Sequence, residues 1–188
     1  MKCACIFSLD DAYVVPFMVF FHSLIGTDSV PESTPLYFLH TSSLNLESQN
    51  TLSGHLARYN RTATFLDVSL SVPSDLPIWK GSYYSLANYF RLFIADILPP
   101  DLTHAVYLDS DMIAIRCVNE LFEYKYPTPI AAVDQLSPWQ SVRMWGDAGG
   151  SYFQTGVMLA SLTHWRENHL SSLFISIINE NRDRLLCV

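Results

Sequence analysis

Basic side chains are scarce in this chain of 188 residues. It has 11 Lys plus Arg against 18 Asp plus Glu, which gives a formal net charge of −7. Proteins that bind nucleic acids neutralise phosphates with a basic patch, and anionic lipids attract clusters of Lys and Arg. The composition therefore argues against nucleic acid as a partner and against a polybasic membrane anchor.

Long hydrophobic runs are missing as well. The apolar run over residues 14–24 is too short to span a bilayer and contains Pro16 and His22. Near the N-terminus, Asp10 and Asp11 follow the first apolar residues too closely for a signal peptide. We expect a cytoplasmic protein without a transmembrane segment. Any contact with a membrane is expected to be peripheral, at the inner face of the membrane.

The cysteine and glycine patterns exclude two further classes. The four cysteines contain no CxxC pair, which disfavours a zinc site or a disulfide framework and predicts buried thiols at Cys3, Cys5, Cys117 and Cys187. No Gly-x-Gly-x-x-Gly follows the first apolar segment, which disfavours a dinucleotide-binding dehydrogenase.

Strand and helix patterns alternate along the chain. Short apolar segments predict strands over residues 3–8, 35–40, 62–68, 104–108, 130–133 and 153–159. Apolar residues at helical spacing, with Pro and polar residues at their ends, predict helices over 14–24, 47–59, 83–98 and 170–181. This alternation predicts a single α/β domain over residues 1–188, with a mostly parallel sheet covered by helices on both faces. In such sheets ligands bind beyond the carboxyl ends of the strands.

Two carboxylates, Asp109 and Asp111, follow the apolar segment 104–108. Carboxylates that leave water must be paired or metal-bound, and two neighbours repel each other, so a divalent cation would stabilise them. In an extended chain, residues i and i+2 point the same way, which would aim both side chains at one point. Oxygen ligands suit Mg²⁺ or Mn²⁺, which commonly bind phosphate as well. The alternative is that one Asp binds and the other only caps the following turn.

Four short motifs occur in a fixed order, at strand ends or in a supporting helix. They are Leu9-Asp10-Asp11-Ala12-Tyr13, Tyr89-Phe90-Arg91-Leu92, Tyr107-Leu108-Asp109-Ser110-Asp111 and Tyr152-Phe153-Gln154-Thr155-Gly156-Val157-Met158-Leu159. Together they resemble the nucleotide-sugar-binding part of family 8 glycosyltransferases, which include the lipopolysaccharide galactosyl- and glucosyltransferases. The resemblance implies a GT-A fold, a UDP-sugar donor and Mn²⁺ (or Mg²⁺). It also implies retaining transfer of a hexose, glucose or galactose, to a glycan or lipopolysaccharide-type acceptor.

The resemblance assigns the donor-binding residues. Asp109 and Asp111 become the metal ligands, Ser110 between them joins the donor site, and Asp109 also lies near the ribose. Asp10 and Tyr13 match positions that contact uracil and ribose, Asp10 by hydrogen bonding and Tyr13 by stacking. The alternatives are that Asp10 is an N-cap and that Tyr13 packs at the start of a helix.

Arg91, Asp134 and Gln154 complete the catalytic residues that the resemblance implies. Arg91 stands in an apolar helix, where a buried guanidinium needs an anion, either the donor or one of the site aspartates. Asp134 matches a carboxylate that binds sugar hydroxyls, and otherwise caps a turn. Gln154 stands where relatives usually carry Asn, so a longer amide would meet the sugar. Gly156 permits either close backbone approach to the ligand or a β-bulge.

The C-terminal part departs from the family pattern. Relatives continue into segments that supply a third metal ligand and a phosphate-binding lysine, and neither appears before Val188. His164 and His169 are poor substitutes, because their surroundings are typical of a surface turn and a helix start. We expect either a fragment of a longer enzyme or a shortened relative. The loop 136–151, with Trp139 and Trp145, is expected either to close over the sugar or to cover the core.

Three functions remain open. The first is a retaining UDP-hexosyltransferase, for which the resemblance favours front-face substitution, with the leaving phosphate accepting the proton of the acceptor hydroxyl. The second is a non-catalytic nucleotide-sugar binder. The third is a phosphatase of the haloacid dehalogenase type, which also places Asp-x-Asp after a strand. Ile113 and the single downstream lysine, Lys125, weigh against the phosphatase.

Overall fold

The computed structural model describes residues 2–78, 86–135, 141–142 and 150–182. Its six strands are β1 Cys3–Ser8, β2 Leu36–His40, β3 Ala63–Asp67, β4 His104–Leu108, β5 Ile130–Asp134 and β6 Phe153–Ser161. They form one sheet in the order β3-β2-β1-β4-β6-β5. Strands β1 to β4 pair in parallel, and β6 is antiparallel to both of its neighbours. The mostly parallel sheet expected from the sequence is confirmed, with β6 as the reversed strand of the described six.

Seven α-helices lie within the described residues. They are α1 Val14–Gly26, α2 Leu46–Ala57, α3 Ala87–Phe90, α4 Ile94–Ile97, α5 Glu120–Glu123, α6 Leu162–Glu167 and α7 Leu170–Glu180. Two 3₁₀ turns, Asp11–Tyr13 and Arg91–Phe93, precede α1 and separate α3 from α4. Helices α1, α2 and α7 agree with the sequence-based prediction, whereas α5 and α6 are additional.

The helix predicted over residues 83–98 is confirmed in part, because its described residues form α3 and α4, which a 3₁₀ turn beginning at Arg91 separates. The carbonyl of Asn88 accepts a hydrogen bond from Arg91 Nε at 3.0 Å. Next to this bond the chain tightens into a 3₁₀ turn over Arg91–Phe93.

The core lies in two layers, one on each face of the sheet. Alternation along β1 sends Ala4 and Ile6 to one layer and Cys5 and Phe7 to the other. Helices α3, α4, α6 and α7 cover the first layer, and α1, α2 and α5 cover the second. Helices on both faces, as expected for an α/β domain, leave the ends of the strands as the open edges of the sheet.

Three smaller predictions have different outcomes. Cys5 is a buried free thiol as expected and Cys3 is half-buried, but Cys117 is exposed, with its Sγ 3.2 Å from the carbonyl oxygen of Asp28. The prediction of a buried Cys117 is wrong because the segment after β4 runs over the surface of α1 rather than beneath it. The predicted loop 136–151 and Cys187 lie largely outside the described residues. Among those residues, no helix has both the length and the apolar character needed to cross a membrane.

Candidate active site at the carboxyl ends of β1 and β4

A cleft opens at the carboxyl ends of β1 and β4, the edge where ligands of parallel sheets bind. The described residues that line it come from the end of β1, the 3₁₀ turn before α1, helix α3, and the end of β4. They are Ser8, Asp10, Tyr13, Ala87, Asn88, Arg91, Tyr107, Asp109, Ser110 and Asp111. Most of the residues that the sequence singled out therefore lie together.

Asp109 forms an ion pair with Arg91, with 2.9 Å between Asp109 Oδ1 and Arg91 Nη2. Two anions were considered as partners of Arg91, the donor and a site aspartate, and the partner in this structure is Asp109. Arg91 is buried, whereas Asp109 keeps part of its carboxylate accessible to the cleft. Burial restrains the guanidinium, and its bond to Oδ1 restrains one carboxylate oxygen of Asp109.

Three further hydrogen bonds and one ring contact restrain the Arg91 guanidinium. Its Nη1 donates to the carbonyl oxygen of Thr155 at 2.8 Å and to Thr155 Oγ1 at 3.0 Å, and its Nε donates to Asn88. Its Cζ lies 4.4 Å from the centroid of the Tyr107 ring, a cation–π contact. Among the described acceptors, Asp109 is the one that Nη2 contacts.

Asp111 lies in a turn rather than in an extended strand. Strand β4 ends at Leu108, and the chain turns at Ser110 and Asp111. The expected i, i+2 alignment of two strand residues is therefore wrong, although both carboxylates line the same cleft. Asp111 is exposed, whereas Ser110 is buried and donates its hydroxyl to the carbonyl oxygen of Ser8 at 2.9 Å. This bond ties the ends of β1 and β4 together beneath the cleft.

Asp10 and Tyr13 have the structural roles considered for them, and their contact with a ligand stays a prediction. Asp10 Oδ1 accepts the N–H of Ala12 at 3.0 Å and so caps the 3₁₀ turn, and Tyr13 packs against the core layer of α1. Both side chains also line the cleft. The adjacent Asp11 accepts the backbone N–H of Asn45 at 3.0 Å, which anchors the turn to the start of α2.

Gly156 and Gln154 belong to an irregularity in β6. Ala132 of β5 pairs with Met158, but the next residue of β5 pairs with Gln154, so three residues of β6 bulge out. Gln154 Oε1 accepts the N–H of Gly156 at 3.0 Å, and the Gly156 carbonyl accepts the N–H of Asp109 at 2.8 Å. The β-bulge considered for Gly156 is confirmed, and the glycine also approaches Asp109 closely, whereas its approach to a ligand stays a prediction.

Asp134 and Gln154 are not among the described residues that line the cleft. Asp134 is exposed at the end of β5, and β6 lies between that strand and β4. Gln154 is exposed as well. Both residues lie at the same edge of the sheet as the cleft, but neither lines the cleft together with Asp109 and Arg91. His164 lies within α6 rather than in a surface turn, and His169 precedes α7 as expected.

The electrostatic field of the cleft acts on its two tyrosines. Burial raises the pKa of Tyr13, and the nearby charges of Asp111, Asp10 and Asp109 raise it further. Complete burial raises the pKa of Tyr107 to about 12, an effect that Arg91 opposes and Asp109 reinforces. Among the described lining residues, three carboxylates face one guanidinium. The cleft is therefore net negative and suited to a cation.

The arrangement at Asp109 fits a divalent ion. A Cβ on Gly156 would lie 2.7 Å from Asp109 Oδ2, so the absence of a side chain at this position makes room for that oxygen. With Oδ1 held by Arg91, Oδ2 and the carboxylate of Asp111 provide hard oxygen donors. The described residues contain no group of three or more His, Cys, Asp or Glu side chains arranged to hold a metal. The donor set that this part of the chain supplies is a pair of carboxylates.

Some site residues have no sequence signal of their own. Tyr107 could be inferred, because it stands two residues before Asp109 in the same motif. Asn88 lies three residues before Arg91 in a helical pattern, but its carbonyl contact has no sequence signature. Thr155 contacts Arg91 across 64 positions of sequence, and no local pattern predicts that contact.

Solved structures share this architecture. A structure of an active-site mutant of LgtC matches with a TM-score of 0.82 and 18% identity, covering 96% of this chain and 65% of that one. A complex of the galactosyltransferase LgtC with donor and acceptor sugar analogs matches with a TM-score of 0.77 and 19% identity, covering 94% and 65%. The sheet, its two helical layers and the cleft at the strand ends define a protein of the GT-A fold class.

Sequence relatives give the family. The model of glycosyl transferase family 8 matches residues 4–187. The chain is 30% identical over 185 residues to "Probable galacturonosyltransferase-like 2" of Arabidopsis thaliana, covering 85% of this chain and 52% of the relative. It is 27% identical over 106 residues to a lipopolysaccharide 1,2-glucosyltransferase of Escherichia coli, covering 54% and 31%. The chain belongs to glycosyl transferase family 8, and it spans about half the length of the plant relative.

Proposed function

We propose that the protein transfers a hexosyl group from a UDP-sugar to a hydroxyl of a glycan or lipid-linked acceptor, with Mn²⁺ or Mg²⁺ at the donor site. The observation that carries this proposal is Asp109, which lies in a net negative cleft with one carboxylate oxygen paired with Arg91 and with part of its side chain accessible. Membership of a glycosyltransferase family supports it and leaves no support for the phosphatase alternative. The cytoplasmic location remains a proposal.

We assign Asp109 and Asp111 as the residues that hold the divalent ion. A bound ion would supply charge that stabilises the diphosphate as the sugar departs. Asp10 and Tyr13 are assigned to the uracil and ribose, with Ser110 at the donor site. Gln154 and Asp134 are assigned to the transferred sugar, because they lie at the same edge of the sheet. The described residues enclose about 80 Å³ here, less than a nucleotide sugar fills, so they form one side of the donor site.

Arg91 holds Asp109, so it orients the diphosphate end rather than acting as an acid. In the front-face route, the bond from the anomeric carbon to the phosphate oxygen breaks on the side where the acceptor oxygen forms its new bond. The acceptor hydroxyl gives its proton to the departing phosphate oxygen, so no enzymatic nucleophile is required. The anomeric configuration is retained because both bonds lie on one face of the sugar.

The test is calorimetric titration of UDP into this chain with and without Mn²⁺. We expect metal-dependent binding that Asp109→Asn and Asp111→Asn each abolish, because each removes one charged oxygen ligand. Asp96→Asn, a change at an exposed carboxylate on α4, is the matched control and should bind as the original chain does. Binding that needs no metal, or that survives both site variants, would refute the proposal.

A second assay separates transfer from binding alone. UDP-glucose, UDP-galactose and UDP-galacturonate are screened for hydrolysis, the last because relatives are named galacturonosyltransferase-like. Hydrolysis of one donor supports the transferase. Tight, metal-dependent binding with no hydrolysis would favour the non-catalytic binder. This alternative is retained because the described residues supply two carboxylates and no third metal ligand.

A further inference from the structure

The bulge of β6 connects the edge of the sheet to the ion pair in the cleft. Between Met158 and Gln154 the strand leaves its register with β5, and Thr155 and Gly156 come to lie against Arg91 and Asp109. The Gln154 side chain closes the bulge by accepting the Gly156 N–H. Bulges re-aim side chains and are over-represented beside active sites. Here the bulge aims one residue, Thr155, at the Arg91 guanidinium.

Thr155 contributes two acceptors to a single nitrogen of Arg91. Its carbonyl oxygen lies 2.8 Å and its Oγ1 3.0 Å from Nη1. Because a guanidinium is planar, fixing Nη1 on one side and Nε on Asn88 determines where Nη2 points. The atom that Nη2 meets is Asp109 Oδ1, at 2.9 Å. Thr155 therefore helps to set the orientation of the Asp109 carboxylate, because it orients Arg91, which binds Asp109.

We propose that Thr155 is a positioning residue of the donor site. Its hydroxyl holds Arg91 in the orientation in which Asp109 presents Oδ2 to the ligand. The role in ligand binding rests on the proposed function, whereas the coupling from Thr155 to Arg91 does not. Thr155 is exposed, unlike the buried Arg91, so removal of its hydroxyl leaves the core untouched. The hydroxyl acts through Arg91 and is not itself assigned to substrate.

The coupling is tested first without any ligand. Thr155→Val keeps the branched shape and the carbonyl but removes the hydroxyl, and Thr155→Ser retains the hydroxyl. Nitrogen-15 NMR of the Arg91 side chain reports rotation of the guanidinium about its Nε–Cζ bond. We expect this rotation to be about threefold faster, or more, in Thr155→Val, and to return to the original rate in Thr155→Ser. Equal rates in the original chain and Thr155→Val, or equal acceleration in Thr155→Ser, would overturn the inference.

A matched control uses a second threonine. Thr128 is also exposed and donates its hydroxyl to a backbone carbonyl, that of Ile130, at 2.7 Å. It precedes β5 and is not among the described residues that line the cleft. Thr128→Val should leave the rotation of Arg91 unchanged. A change equal to that of Thr155→Val would show that the effect is a general loosening of the fold and would overturn the assignment.

The second readout is the apparent affinity for Mn²⁺ in the presence of UDP. We expect Thr155→Val to weaken it by about three- to tenfold, the effect of losing one of several hydrogen bonds to a charged group, and Thr155→Ser to restore it. Faster rotation with unchanged affinity would overturn the positioning role. If the original chain binds no UDP, the proposed function and the role in donor binding fail together, while the rotation rate still decides whether Thr155 holds Arg91.

Discussion

Asp109 is constrained at three points. Arg91 Nη2 holds Oδ1, the Gly156 carbonyl accepts its backbone N–H, and Oδ2 lies over the bare Cα of Gly156. A carboxylate held in this way has little freedom to turn. A ligand that binds Oδ2 therefore loses little side-chain entropy on binding, which is the advantage of a preorganised site.

Gly156→Ala should impair the site without unfolding the chain. The new Cβ would lie 2.7 Å from Asp109 Oδ2 and 3.3 Å from its Cγ, so the carboxylate must shift from its present position. We expect metal-dependent UDP binding to weaken by about tenfold or more, because the displaced ligand no longer meets the ion at its proper distance. Calorimetry measures the affinity, and circular dichroism checks the fold. Unchanged affinity would show that the site tolerates a displaced Asp109.

At the scale of the element, α2 illustrates how local chemistry sets a helix. Asn45 caps its start by accepting the N–H of Ser48 at 2.9 Å, and Asp11 holds Asn45 in turn. Leu52 and Leu56, one turn apart, bury the inner face. The helix nevertheless carries Gly54 in its interior, where glycine costs conformational entropy.

Gly54→Ala should therefore stabilise the protein. A Cβ at this position meets nothing within 4 Å, so the gain in helix propensity is not offset by a clash. We expect the free energy of unfolding to rise by about 0.5–1 kcal/mol, measured by urea denaturation. The same variant is a control for Gly156→Ala, since UDP binding should be unaffected. A loss of stability would mean that α2 is not helical at this residue.

Arg166 of α6 ties the end of α4 to the start of β4. Its guanidinium donates to the carbonyl oxygen of Ala95 at 2.7 Å and to that of Leu102 at 2.8 Å, and it also reaches the carbonyls of Leu98, Pro99 and Pro100. These carbonyls include the free ends of a short helix, which a cation stabilises.

Arg166→Ala should lower the free energy of unfolding by about 2 kcal/mol, because partly buried carbonyls lose their donor. Arg166→Lys keeps the charge but has no planar fork, so we expect it to recover only part of the loss. Urea denaturation measures both variants. A full recovery by lysine would show that charge, and not the geometry of the fork, is what stabilises the turn.

At the scale of the whole molecule, the two core layers differ in what they bury. The layer of α1 and α2 includes His55, which is buried beside Phe21 and Tyr59. Neither of its ring nitrogens has a hydrogen-bond partner among the described residues. Burial lowers the pKa of His55, and the charge of the neighbouring Arg58 lowers it further.

His55 should make the protein less stable in acid. Its folded-state pKa lies below the unfolded value of about 6.5, so below that pH the unfolded chain binds a proton that the folded chain does not. Stability is therefore expected to fall as the pH drops below about 6.5, and to level off below the folded-state pKa. His55→Leu should lose less stability than the original chain between pH 7.5 and 5.5, measured by urea denaturation. An exposed control, His164→Gln, should follow the original chain, and identical pH profiles for all three would contradict the expectation.

Prediction from sequence succeeded where a local pattern sufficed. Strand β4 has its predicted bounds, His104–Leu108, because an apolar run ends abruptly at a polar residue. Helix α7 ends within one residue of the prediction, because its apolar spacing is regular. Helix α6 was missed because Trp165 is completely buried in a segment otherwise polar enough to suggest a turn.

The sequence by itself determined that strands and helices alternate, that Asp10 and Asp109 stand at strand ends, and that the chain belongs to its family. The first two follow from local propensity and periodicity along the chain, and the family follows from motifs that resemble those of its members. Only the tertiary structure decided that Arg91 pairs with Asp109, that β6 runs antiparallel, and that a bulge brings Thr155 to Arg91. The physical reason is that these contacts join residues far apart in sequence, whose meeting depends on how the sheet assembles and not on any local pattern.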